Sequence, residues 1–136
     1  MHSAVARTSN LTSSSHISAL SRITNADSVR IGEIATVGSG ATPLRGKAQY
    51  YDGGTIPWAT SGDLHAGDIF DVRGRITEAA LRETAVKLWP AGTLLIAMYG
   101  EGKTRGTVAE LHIASTTNQA CAAIVLHPEF ADLKRW

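Results

Sequence analysis

The sequence has 136 residues, 43% of them hydrophobic, with a formal net charge of +1 and a single cysteine, Cys121. That length suits one domain with an ordinary core, and no apolar stretch is long enough for a membrane span. One cysteine excludes an internal disulfide framework and a cysteine-only zinc cluster, so a reducing compartment, the cytoplasm, is expected; the near-zero net charge means that any contact with DNA must come from local clusters of cations.

Residues 1–28 are rich in serine and threonine, with two arginines and one acid, Asp27, and show no sustained apolar periodicity; they are expected to be a disordered tail. The arginines and scarcity of acids also resemble an organellar transit peptide, but a loose tail or an upstream start codon is the preferred reading; separately, no apolar segment for secretion is present. Order is expected from Val29. Apolar side chains at 29, 31 and 34 fit either a short strand or one helical turn. In Gly38-Ser39-Gly40-Ala41-Thr42-Pro43 two glycines and a proline predict a turn, and Pro43 stands where a dinucleotide-binding motif would need its third glycine. Residues 55–60 read as a strand, with Pro57 marking an edge or a strand start. Ser61-Gly62-Asp63-Leu64 turns the chain, and Asp63 with His65 is too sparse a pair to define a metal site.

Residues 76–88 read as a helix. Thr77 is its expected N-cap, Ile76 and Leu81 a hydrophobic staple, and Leu81, Ala85 and Leu88 its buried face; Glu78 with Arg82, and Glu83 with Lys87, are acid-before-base pairs four apart. Pro90 ends it. Residues 93–98 predict a buried strand and 107–113 a returning one, with Val108, Leu111 and Ile113 alternating against Glu110 and His112. Together they form a hairpin with a basic loop at its tip. Residues 120–126 are apolar enough for a strand buried on both faces, and 127–136 begin a further element.

Two chemistries compete for the hairpin loop. Ala97-Met98-Tyr99-Gly100-Glu101-Gly102-Lys103-Thr104 matches a relaxed nucleotide-binding P-loop, but Arg105-Gly106-Thr107-Val108 is a poor start for the helix that must follow. The second reading is DNA binding. Cations two residues apart recur at Arg45 and Lys47, Arg73 and Arg75, and Lys103 and Arg105, and in an extended segment such pairs share a face. Gathered, they would follow a phosphate backbone, while Thr60, Ser61, Tyr99 and Thr104 would supply polar contacts. The same cations also fit an ordinary solvated surface, partly neutralised by Asp63, Asp68 and Asp71.

The order of the motifs adds more. Ile31-Gly32-Glu33-Ile34, Gly38-Ser39-Gly40-Ala41-Thr42-Pro43, Ile56-Pro57-Trp58-Ala59-Thr60-Ser61-Gly62-Asp63-Leu64, Ile76-Thr77-Glu78, Pro90-Ala91-Gly92-Thr93-Leu94-Leu95-Ile96-Ala97, Tyr99-Gly100 and Asn118-Gln119-Ala120 follow one another in an order that resembles a target recognition domain of type I restriction-modification specificity subunits. The resemblance runs from about residue 29 to 136. It implies an α+β, strand-rich mixed domain, apparently truncated at its C-terminus, that reads double-stranded DNA without catalysing a reaction. It implies partners as well: modification and restriction subunits, with S-adenosylmethionine, ATP and magnesium bound there and no cofactor or metal on this chain. No Asn-Pro-Pro-aromatic methyltransferase signature occurs in the sequence. The loop at Lys103-Thr104-Arg105 departs from the family, whose usual loop is small and apolar. The second recognition domain and the spacer helices lie outside these 136 residues, so a fragment with no function of its own stands as a further reading, beside the P-loop.

Overall fold

A computed structural model describes residues 30–100 and 102–135; the expected disordered tail, 1–28, lies outside the described residues. Among the described residues two short α-helices are formed, α1 (Ile31–Ile34) and α2 (Glu78–Glu83). The strands are β1 (Ala35–Ser39), β2 (Ile56–Ala59), β3 (Asp68–Ile69), β4 (Arg75–Ile76), β5 (Leu94–Ala97), β6 (Val108–Leu111), β7 (Thr116–Thr117) and β8 (Cys121–Leu126). They make one sheet of order β1-β8-β5-β6-β3 and a second of order β4-β2-β7. Among the strand pairings whose register is described, β3 with β6 and β2 with β7 are parallel. The result is the strand-rich mixed fold that the sequence implies.

The described chain divides into two units. The smaller comprises 30–36 and 126–135. There the undecided segment resolves into a helical turn, α1, followed directly by strand, and the His127 amide donates to the Ile34 carbonyl at 2.7 Å. The last stretch is a 3-10 helix, Pro128–Arg135, in which Phe130 is buried.

The larger unit, 37–125, holds two apolar clusters. One gathers Leu64, Ile69, Val72, Trp89, Leu95, Ala97, Ala109, Leu111, Cys121 and Ala123 on one face of the five-stranded sheet. Alternation along β5 sends Leu95 and Ala97 inward and leaves Leu94 and Ile96 half-buried. The other gathers Tyr50, Ile56, Trp58, Ile76, Ala80 and Val86 around β2, β4 and α2.

Four sequence expectations are corrected. Gly38 and Ser39 lie in β1 rather than in a turn, and neither Gly38 nor Gly40 has a positive φ. These glycines serve close approach instead: a Cβ on Gly38 would stand 2.6 Å from the Trp89 ring, and one on Gly40 only 1.9 Å from the Thr117 carbonyl oxygen. Pro57 lies in the central strand of its sheet rather than at an edge, as the second residue of β2 and so beside the strand start, the other expectation. The ladder passes its missing donor because the amides of Thr55 and Trp58 donate to the carbonyls of Ile76 and Gly74.

The helix is shorter than its pattern. Thr77 caps it as expected, accepting from the Ala80 amide, and Ile76 and Leu81 meet in one cluster. Thr84 ends it: its hydroxyl donates to the Ala80 carbonyl and accepts from the Val86 amide, replacing helical bonds. Val86 is thereby buried, while Ala85 and Leu88 are exposed, and Glu83 pairs with Lys47 rather than Lys87. In β6, finally, Ala109 and Leu111 face the core and Val108 points outward, the opposite assignment for Val108.

Candidate nucleic-acid interface

The hairpin is formed as expected. Antiparallel β5 and β6 are closed by the Ala97 amide on the Thr107 carbonyl and the Gly106 amide on the Ala97 carbonyl, so residues 98–100 and 102–107 sit at its tip. Thr104 leads through a turn into β6, a strand, where a P-loop needs a helix whose amides face the phosphates. Gly100, Gly102 and Gly106 all have positive φ; here glycine makes the bend.

The same-face argument for the basic pairs holds less well. Arg45, Lys103 and Arg105 lie in turns, and of these cations Arg75 is the one in a strand. What connects the pairs is packing. Thr60 and Asp63 close the start of a 3-10 turn, Ser61–Ala66, because the Thr60 amide and hydroxyl donate to the Asp63 carboxylate at 2.8 and 3.2 Å. That turn touches the hairpin loop, where His65 Nε2 lies 3.1 Å from the Thr104 hydroxyl. It also borders an open depression of about 460 Å³ lined by Asp63, Asp71, Val72, Arg73 and Arg75. Asp63 and His65 thus make separate contacts, one with Thr60 and the other with Thr104.

Trp58 supplies the other connection. Gly74, between Arg73 and Arg75, packs so close that a Cβ would stand 2.4 Å from the Trp58 carbonyl oxygen and 3.2 Å from its ring. The Arg45 guanidinium lies over the same indole at 5.0 Å and over the Tyr51 ring at 5.3 Å. The loops carrying all three pairs therefore adjoin one another through Trp58 and the 61–66 turn.

The cations differ in what they are free to do. Arg75 is spent internally: it donates to Asp71 at 2.6 Å and to the carbonyls of Gly74 and Val72. That hydrogen bond, then one from the Val72 amide, then the guanidinium charge, hold the Asp71 carboxyl below its ordinary value. Asp71 therefore adds stability above the ordinary carboxylate range, and the contribution is lost as pH falls through its depressed pKa. Lys47 lies over the Tyr50 ring at 4.9 Å and 4.0 Å from Glu83. Among the described residues no carboxylate is within ion-pair distance of Arg45, Arg73, Lys103 or Arg105. Tyr99 is 62% exposed and Ser61 half-buried.

Sequence reasoning missed a second cluster, Asp68, Glu110 and His112, with the exposed Phe70 stacked on the imidazole. Asp68 and His112 are 44 residues apart, and strand pairing alone brings them together.

Cys121 is inert by position. It is fully buried, and burial first, then the nearby Asp63 charge, push its thiol up to about 11. At pH 8 only about one thiol in a thousand is ionised. Alkylation of the native chain is therefore expected to be slow and to accelerate sharply on unfolding, a signal free of interference because no other cysteine exists. Equal rates in native and denatured chain would contradict the buried assignment.

The comparisons with known proteins agree with the motif order. No protein-family model matches. The chain is, however, similar in sequence and fold to type I restriction specificity subunits. It is 35% identical over 105 residues to the type I restriction enzyme MjaIX specificity subunit of Methanocaldococcus jannaschii, covering 73% of this chain and 23% of that protein. It is 28% identical over 98 residues to a type I restriction enzyme specificity subunit of Escherichia coli, covering 71% and 24%. The crystal structure of the HsdS subunit from Thermoanaerobacter tengcongensis superposes with a TM-score of 0.54 at 20% identity, over 73% of this chain and 23% of that one. A chain from a structural study of the assembly and conformational transition of the type I restriction-modification system gives 0.53 at 19% identity, over 83% and 29%. The chain thus spans about a quarter of the length of these curated relatives.

Proposed function

We propose that the chain contributes sequence-specific recognition of double-stranded DNA as part of a type I restriction specificity subunit. The observation that carries this is the similarity to two curated specificity subunits over more than two thirds of the chain. In this reading it is a non-catalytic component, acting in the cytoplasm with modification and restriction subunits that hold S-adenosylmethionine, ATP and magnesium. Arg45, Arg73, Lys103 and Arg105 would meet phosphates, while Thr60, Ser61, Tyr99 and Thr104, on the same loops, would lie near base edges. Lys47 and Arg75 would chiefly hold those loops in shape.

The test is duplex binding by the full chain as a function of salt. Changing Lys103 and Arg105 to alanine is expected to weaken binding and lower the log-log salt slope by roughly one unit for each phosphate that is no longer neutralised. Arg75→Ala, whose guanidinium is already committed to Asp71, is expected to leave the slope nearly unchanged. An unchanged slope in the loop variant would remove the hairpin tip from the interface. ATP with magnesium should not raise the melting temperature, whereas a ligand bound only by the native state must.

A further inference from the structure

We infer that Asp68, Glu110 and His112 form a binding site for a divalent transition-metal ion, with zinc the expected occupant. The inference is independent of the DNA-recognition reading. Parallel pairing of β3 with β6 sets Asp68 opposite Glu110, and the His112 amide donates to the Ile69 carbonyl at 2.9 Å, which fixes the chain just beyond β6. One ligand atom from each side chain then lies within 4.8 Å of the other two. His112 Nε2 and Asp68 Oδ1 already stand 2.9 Å apart. Ligand atoms about 2.1 Å from a tetrahedral zinc are about 3.4 Å from one another, so three atoms that already lie within 4.8 Å of one another need only small adjustments to share one ion.

The donor chemistry selects the ion. One imidazole nitrogen with two carboxylates suits zinc, whereas calcium and magnesium prefer all-oxygen shells of higher coordination number. Three protein ligands leave a fourth position for water. Phe70 supports the arrangement from outside: 67% exposed, it lies flat on the imidazole with centroids 4.4 Å apart and planes 20° apart. A large aromatic side chain kept at the surface in this way fixes the ring plane and keeps water from one of its faces. Metal binding would replace the direct contact between His112 and Asp68 and clamp the two-residue edge strand β3 to its neighbour.

The experiment is calorimetric titration of the full chain with zinc chloride, and with magnesium chloride for comparison, followed by cobalt substitution read by visible absorption. Expected are uptake of one zinc per chain, no comparable magnesium uptake and a tetrahedral cobalt spectrum. His112→Ala and Asp68→Asn should each weaken zinc binding by more than about tenfold, and His65→Ala and His127→Ala should leave it unchanged. Absence of zinc uptake, or equal uptake by the His112→Ala and Asp68→Asn chains, would show the cluster to be an ordinary surface ion pair and overturn the proposal. Should His112→Ala lose its folded circular dichroism, Asp68→Asn at an exposed position decides the matter alone.

Discussion

Replacing Gly40 by alanine is expected to destabilise the chain by at least about 1–3 kcal/mol, the usual cost of forcing extra atoms into packed structure. The reason is a contact between backbones. An added Cβ would lie 1.9 Å from the Thr117 carbonyl oxygen, 2.4 Å from its carbonyl carbon and 2.3 Å from its hydroxyl. No side-chain rotation relieves a clash with main chain. The Ala41 amide donates to that same carbonyl at 3.0 Å, so moving the segment away would also cost this bond. Thr117 is fully buried in β7, paired with Ala59 of β2, which leaves little room for it to yield. Gly46 provides the control: a Cβ there meets nothing within 4 Å. Gly46→Ala is expected to be neutral or to stabilise slightly, by restricting the unfolded chain. Urea unfolding of both variants measures the difference as a shift in midpoint at constant slope. If Gly40→Ala were as mild as Gly46→Ala, the close approach would not exist in solution.

This glycine also marks the boundary of what the sequence alone reveals. Strands β5, β6 and β8 were legible as strands because apolar runs and alternation mark a sheet, although Val108 turns outward and β8 is only half-buried on its second face, and the hairpin followed from the closeness of β5 and β6 in the chain. The cap at Thr77 was legible for the same local reason. Partners distant in sequence were not. Nothing near Gly40 indicates that Thr117 will press against it, so two glycines and a proline read as a turn. The early end of α2 was hidden because Leu88 continues the helical spacing, while burial of Val86 in a cluster assembled from Tyr50, Ile56 and Trp58 overrides it. In the candidate interface, the cations were visible as pairs, but which of them are spent was not. Arg75 differs from Arg73 through Asp71 and two carbonyls, and Thr104 is tied to His65 across 39 residues. The Asp68, Glu110 and His112 cluster lay hidden for the same reason. The overall likeness was nevertheless legible, because a series of individually weak motifs in fixed order samples the whole chain at once.

Trp58→Ala is expected to cost about 3–5 kcal/mol, a large part of the 5–15 kcal/mol that roughly bounds the stability of a domain. The indole is 4% exposed and packs with Ile56, Ile76 and Val86. Its Nε1 donates to the Ala41 carbonyl at 3.0 Å, and the Tyr51 ring meets it edge-on at 6.3 Å and 75°. Truncation removes the packing, leaves that carbonyl without its donor and takes away one of the two rings beneath Arg45. Trp58→Phe separates these effects, because it keeps an aromatic face for Arg45 while removing the donor and part of the volume. Its cost is expected to be smaller. A double-mutant cycle of Arg45→Ala with Trp58→Ala, read from urea midpoints, is expected to give a coupling of about 0.5–1 kcal/mol for the cation over the ring; the same cycle with Trp58→Phe should give less than that. The functional consequence then follows from position. If Arg45 meets phosphate from its place over the indole, Trp58→Phe should retain most DNA affinity and its salt slope, with Arg45→Ala lowering both. Equal loss in the two variants would mean that the ring itself, rather than the cation it positions, governs the interface, and zero coupling in the cycle would remove Trp58 as the element that holds Arg45 in place.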